Sequence, residues 1–165
     1  MESIRESTVP DLEKAIDEDV GDDLLRLILV ACHPILSTEA RVALTLRLLG
    51  GLTTDEIARA FVVPEPTIAQ RIVRAKKTLA KAAVAYEVPR GRDRAERLGS
   101  VLEVLYLIFN EGYSATAGGE LLRRELCAEA IRLGREVVRL LPAEPEPLGL
   151  LALKIGRASC RERVS

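Results

Sequence analysis

Between residues 67 and 81 the chain carries Arg71, Arg74, Lys76, Lys77 and Lys81 and no acid, a local charge of +5. Guanidinium and ammonium groups this concentrated suit one chemistry above others, the neutralisation of phosphate. Gln and Arg can also bond bidentately to a base edge, Gln to adenine and Arg to guanine, whereas Lys mostly meets phosphate. Thr67, Gln70, Arg71, Arg74, Lys77 and Lys81 are therefore the candidate nucleic-acid contacts. Sets for catalysis are poorer. Glu111, Glu120 and Glu125 have no nucleophile, metal set or phosphate loop beside them and read as solvated charge. One His and three Cys without a CxxC supply neither a zinc site nor a disulfide framework. No catalytic residue, metal or cofactor is expected, and a reduced, cytoplasmic setting is the default.

The 165 residues suit one medium domain or two small ones. A content of 48% hydrophobic and 30% charged residues fits neither a disordered nor a membrane-embedded chain. No apolar run approaches the roughly 18 residues of a spanning helix, and no signal peptide opens the sequence. The net charge of −1 conceals a segregation, because residues 1–23 hold nine acids against Arg5 and Lys14, a balance of −7. The near-neutral total thus does not argue against nucleic acid.

The elements that must position the basic stretch are helical throughout, since apolar residues recur at helical rather than alternating spacing. Residues 1–21 lack a dense apolar stripe and read as an acidic tether. Asp22 is expected to cap a helix over 23–33 that stops before Pro34. Ser37 caps a second, 38–49, closed by Gly50 and Gly51. Thr53 with Glu56 three residues on forms a capping box that opens a short helix, 54–61. Val62, Val63 and Pro64 make a tight break, and Pro66 falls where a first-turn proline is tolerated. A helix over 66–85 follows, then a linker at Pro89–Arg92. Helices at 93–109, 120–141 and from 146 are expected beyond it, with a Gly/Ser/Ala loop at 112–119.

A helix, a capped short helix, a brief turn and a basic helix stand in the order of a helix-turn-helix. Ile57, Ala58 and Phe61 give the short helix one apolar edge. Ile68, Ile72, Ala75 and Leu79 give the basic helix a matching stripe that can pack on Leu44, Leu46 and Leu48 or Leu49. Thr67 and Gln70 lie in its first turns, the end that enters the major groove in this motif. The competing account is an amphipathic helix whose charges only solvate a bundle, and the acid-free face behind a capped partner helix weighs against it. His33 reads as a residue that meets the last carbonyls of its helix, Cys32 and Cys127 as small core residues. Asn110–Tyr113 reads equally as a helix C-terminus with Gly112 left-handed or as a polar pocket.

The stretch Leu44–Leu79, with "EIARAF" and "PTIAQRIVRAK", resembles region 4 of bacterial RNA polymerase sigma factors of the extracytoplasmic-function type. Residues 97–155, with "LYLIFNEGY" and "EAIRLGREVVRLLPAEPEPLGLLAL", resemble the helical C-terminal extension of one subgroup, which is related to tetratricopeptide repeats. The resemblance covers about 22–155. It implies an all-α fold, a helix-turn-helix bundle followed by a helical extension, and it implies promoter −35 DNA and the β flap of core polymerase as partners, with no membrane. Region 2 of such factors, which melts the −10 element, has no counterpart here, so the chain as written is expected to be a fragment that does not open a promoter.

Four parts are therefore expected: the tether 1–21, a region 4-like domain 22–88, a helical extension 93–155 and a non-native tail 156–165. The tail breaks the apolar pattern before it and back-translates to a common sequencing adapter. The alternative function is a helical protein-interaction or ligand-binding domain whose basic face is incidental.

Overall fold

A computed structural model describes residues 21–113 and 120–162, the side chains of 120–123 and 157–162 excepted. The tether 1–20, most of the expected 112–119 loop, the Cys160 side chain and the last three residues lie outside it. Among the described residues all regular structure is helical. The helices are α1 (residues 21–31), α2 (Thr38–Leu48), α3 (Thr54–Phe61), α4 (Glu65–Lys81), α5 (Gly91–Tyr113), α6 (Glu120–Leu140) and α7 (Pro145–Glu162).

Several boundaries differ from expectation, each for a local reason. Asp22 sits inside α1 instead of capping it, and α1 ends at residue 31, before His33. Pro34 disfavours helical geometry at the residue before it. The His33 imidazole meets no carbonyl. Its Nδ1 accepts the backbone N–H of Ile35 at 3.0 Å, and burial, with Arg97 adding to it, lowers its pKa. The basic helix stops at Lys81, short of residue 85, with Ala83 left-handed at φ 49°. No proline forces that stop. It lets the chain turn so that Val88 packs against the core. α5 outruns its expected end by four residues, and within that extra turn the Phe109 and Tyr113 rings stack at 5.7 Å. Gly112 is thus buried within the helix, not left-handed at its end. α7 runs on through 156–162, so the loss of apolar pattern there does not end the helical backbone.

Local signals at α2 and α3 hold. Ser37 Oγ accepts the Ala40 N–H at 3.3 Å. Gly51 is left-handed at φ 67°, and a Cβ on Gly50 would stand 2.7 Å from the Leu46 carbonyl oxygen, so glycine is needed at both.

One core runs through the bundle. Leu25, Ile28 and Leu29 of α1 and Leu44 and Leu46 of α2 share a buried cluster with Leu98, Val101, Leu105 and Phe109 of α5, and with Leu126, Leu133 and Val137 of α6. Fully burying each such side chain is worth about 1.5–3 kcal/mol. On α5 the apolar stripe Leu98, Val101, Leu105, Ile108 and Phe109 is buried, and Leu102 is partly covered. Polar bonds cross the same seam. Arg97 donates to the Leu29 carbonyl at 2.8 Å, Tyr86 to Asp23 O at 3.0 Å and Arg132 to Leu49 O at 2.8 Å.

Candidate nucleic-acid interface

α3 begins where Thr53 forces it to. The Thr53 hydroxyl accepts the Glu56 N–H at 3.2 Å and Glu56 Oε2 accepts the Thr53 N–H at 2.7 Å, so two otherwise orphaned donors are satisfied together. These bonds hold the Glu56 carboxyl below its ordinary pKa. Asp55 and Arg59 pair at 3.0 Å one turn apart. Ile57, Ala58 and Ala60 are buried, and Phe61 is half-buried.

The turn is three residues long. Val62 closes α3 in the left-handed region, at φ 54° and ψ 46°, with its side chain 83% exposed. For a β-branched residue this geometry costs about 1–2 kcal/mol. Val63 turns inward against the core, and its N–H bonds the Ala58 carbonyl at 3.0 Å. Pro64 caps α4 without a side-chain bond, and Thr54 Oγ1 donates to Glu65 at 3.1 Å, joining the starts of α3 and α4.

α4 buries Ile68, Ile72 and Ala75 and half-buries Leu79, and it packs on α2 and α3. The complementary face carries Gln70, Arg74, Lys77 and Lys81, all exposed and spaced four, three and four residues apart. Thr67 and Arg71 are set apart from them. Both are half-buried on the flank of the helix. Arg71 stands near Glu39 of α2, whose carboxyl is held below its usual pKa first by its own N–H and the Ser37 hydroxyl and in smaller part by Arg71. Two exposed neighbours stand outside the candidate contacts, although Lys76 belongs to the local charge of +5. Lys76 lies on the other flank, and Val73, 50% exposed, sits three residues after Gln70. An apolar side chain outside the stripe of Ile68, Ile72 and Ala75 was the available signal. Val73 has the chemistry to touch a thymine methyl group.

Asp55, Glu56 and Glu65 are the acids of the α3–α4 unit, all within the first turns of their helices. Past Glu65 the outer surface of α4 carries no acid, as a phosphate-facing surface requires. Among the described residues no cluster of three His, Cys, Asp or Glu could hold a metal, and no helix is long and apolar enough to cross a membrane.

Residues 26–79 match the family described as sigma-70, region 4. Residues 97–164 match a family of unknown function, DUF6596. An uncharacterized protein of Rhizobium meliloti (strain 1021) is 52% identical over 132 residues, 80% of this chain and 31% of that protein. The chain therefore spans about a third of the curated relative it matches. No solved structure matches. The region 4 match supports a sigma-70 family factor, with a helix-turn-helix DNA-binding role in transcription.

Proposed function

We propose that α3 and α4 are the −35 reading module of a bacterial sigma factor of the extracytoplasmic-function type, working in the cytoplasm on promoter DNA and the β flap of core polymerase. The observation that carries the reading is the exposed row Gln70, Arg74, Lys77 and Lys81 on a helix fixed from behind by a capped partner. In operation α4 enters the major groove by its first turns, where Gln70 reaches base edges, and Arg74 follows one turn later. Lys77 and Lys81, further along, meet backbone phosphate. The protein performs no bond chemistry in this role, because recognition needs only hydrogen bonds and charge.

Residues 93–155, which resemble a tetratricopeptide-type extension, then set how α4 is presented. In this reading 22–88 and 93–155 are two units docked through their shared core and joined by the chain before α5, and limited proteolysis that spares 89–94 would contradict two separable units. A salt-titrated binding assay on double-stranded promoter DNA tests the reading itself. Binding that weakens with salt and prefers −35 DNA over random duplex is expected. Equal binding to both at every salt concentration would leave a basic face without a reading function.

A further inference from the structure

Arg74, Lys76, Lys77 and Lys81 of α4 are exposed, and among the described residues none of them forms an ion pair. Arg26, Arg59, Arg132 and Arg139, by contrast, each hold an acid of their own helix. The acid of α4 is Glu65, in its first turn and far from this row. Like charges so close on one helix repel one another, and an anion laid over them relieves that repulsion.

The chain carries such an anion. Residues 1–20 hold seven acids against Arg5 and Lys14, a balance of −5. Asp17, Glu18 and Asp19 stand within four residues of the start of α1. The fold brings that start to the end of α4. The Tyr86 hydroxyl donates to the Asp23 carbonyl at 3.0 Å, and the Val84 N–H bonds the Leu79 carbonyl at 3.2 Å. The beginning of α1 is thus tied to the few residues that leave the last turn of α4. Twenty extended residues reach about 66–72 Å, whereas the 17 residues of α4 span only about 25 Å. The whole basic row lies within reach.

We propose that residues 1–20 dock on the outer face of α4 as an anionic cover, Asp17, Glu18 and Asp19 toward Lys81 and Lys77 and the earlier acids toward Arg74. The contact is one of net charge and requires no single backbone geometry. On the reading of α4 proposed above, on which this step rests, duplex DNA must displace the cover, so the chain screens its own reading helix. With an effective concentration of about 1 mM for a short tether, a contact whose Kd is about 0.1–1 mM lowers DNA affinity about two- to tenfold. Salt weakens the cover together with the DNA contact, so the cover also flattens the salt dependence of binding.

The test compares the whole chain with a variant carrying Glu2→Gln, Glu6→Gln, Asp11→Asn, Glu13→Gln, Asp17→Asn, Glu18→Gln and Asp19→Asn, all outside the buried core. Without DNA, the amide NMR signals of residues 74, 77 and 81 should differ between the two chains at low salt. They should converge by about 0.5 M salt, where the screening length falls to about 4 Å. A peptide of residues 1–20 added to the variant should move the same signals saturably, and the peptide with the seven amides should not. Fluorescence anisotropy should show the variant binding duplex DNA about two- to tenfold tighter at low salt, with a steeper salt slope. Identical α4 signals at every salt concentration, or a peptide that leaves them in place, would overturn the proposal. Tighter DNA binding with unmoved α4 signals would do the same, because the acids then only repel DNA from a distance. Responding α4 signals in a chain that binds no duplex would keep the cover and sink the DNA reading. Responding signals with equal DNA affinity in both chains would overturn the screening step.

Discussion

Arg41 on α2 and Ser100 on α5, 59 residues apart, meet inside the bundle: Arg41 Nη1 donates to Ser100 Oγ at 2.6 Å. The same hydroxyl donates to the Cys32 carbonyl, and Arg41 also reaches Glu103 at 3.1 Å and Thr38 at 3.0 Å. Arg41 is 8% exposed, and its Nε finds no partner. A single hydroxyl thus ties the end of α1, the start of α2 and the middle of α5 in a setting where lost hydrogen bonds are expensive.

Ser100→Ala should therefore lower stability by about 1–3 kcal/mol, since it strands a carbonyl and part of a guanidinium that stay buried. The midpoint of urea unfolding, with an unchanged slope, reads this out. A change of a few tenths of a kcal/mol would mean that water replaces the hydroxyl without penalty.

Val62 carries backbone strain at an exposed position, so relieving it costs no packing. Val62→Gly should stabilise the chain by about 1 kcal/mol and raise Tm by roughly 2–4 °C, the glycine's extra freedom in the unfolded chain offsetting part of the gain. Calorimetry decides, and a fall in Tm would show that the turn tolerates valine without strain.

Lys154 on α7 is 2% exposed, its ammonium lies 5.6 Å from the centre of the Phe109 ring, and Nζ has no hydrogen-bond partner. Burial lowers its pKa from 10.5 to about 8, with Cys127 opposing slightly. Below pH 8 both states hold the proton and the cost of burying the charge is complete. Between about 8 and 10.5 the unfolded chain keeps a proton that the folded chain has released, so stability rises with pH, by at most about 1.4 kcal/mol per pH step. Cys32 acts oppositely above pH 9, because burial pushes its thiol up to about 11. Lys154→Met isolates the lysine. The variant should gain about 1–3 kcal/mol at pH 7 and lose that advantage toward pH 10.5. An advantage independent of pH would attribute it to packing instead.

On DNA, alanine at Gln70 or Arg74 should cost about 1–3 kcal/mol on the correct site and little on random duplex, whereas Arg71→Ala, on the half-buried flank near Glu39, should cost little on either. Lys77→Ala and Lys81→Ala should weaken every sequence alike and each reduce the salt slope by about one. Fluorescence anisotropy at several salt concentrations separates the two patterns. Equal losses on specific and random DNA at Gln70 and Arg74 would remove direct base reading.

Local chemistry made much of this protein legible in its sequence. The helical class, the Ser37 cap, the Thr53–Glu56 box and the buried stripe of α4 each depend on residues within a turn or two of one another, and each appears as expected. The outward row Gln70, Arg74, Lys77 and Lys81 was equally readable, because it is the complement of the apolar stripe on the same helix. Tertiary structure alone decided the rest. Spacing put Arg71 with Gln70 and Arg74, but α2 packs close enough to half-bury it near Glu39. α4 stops at Lys81, and a later segment returns Val88 to the core. Nothing within a turn of Arg41 in sequence signals its burial, because its partner Ser100 comes from α5 59 residues away. Propensity and capping are properties of neighbours in sequence. Burial depends on which elements meet, and the single core shared by α1, α2, α5 and α6 is where that is settled.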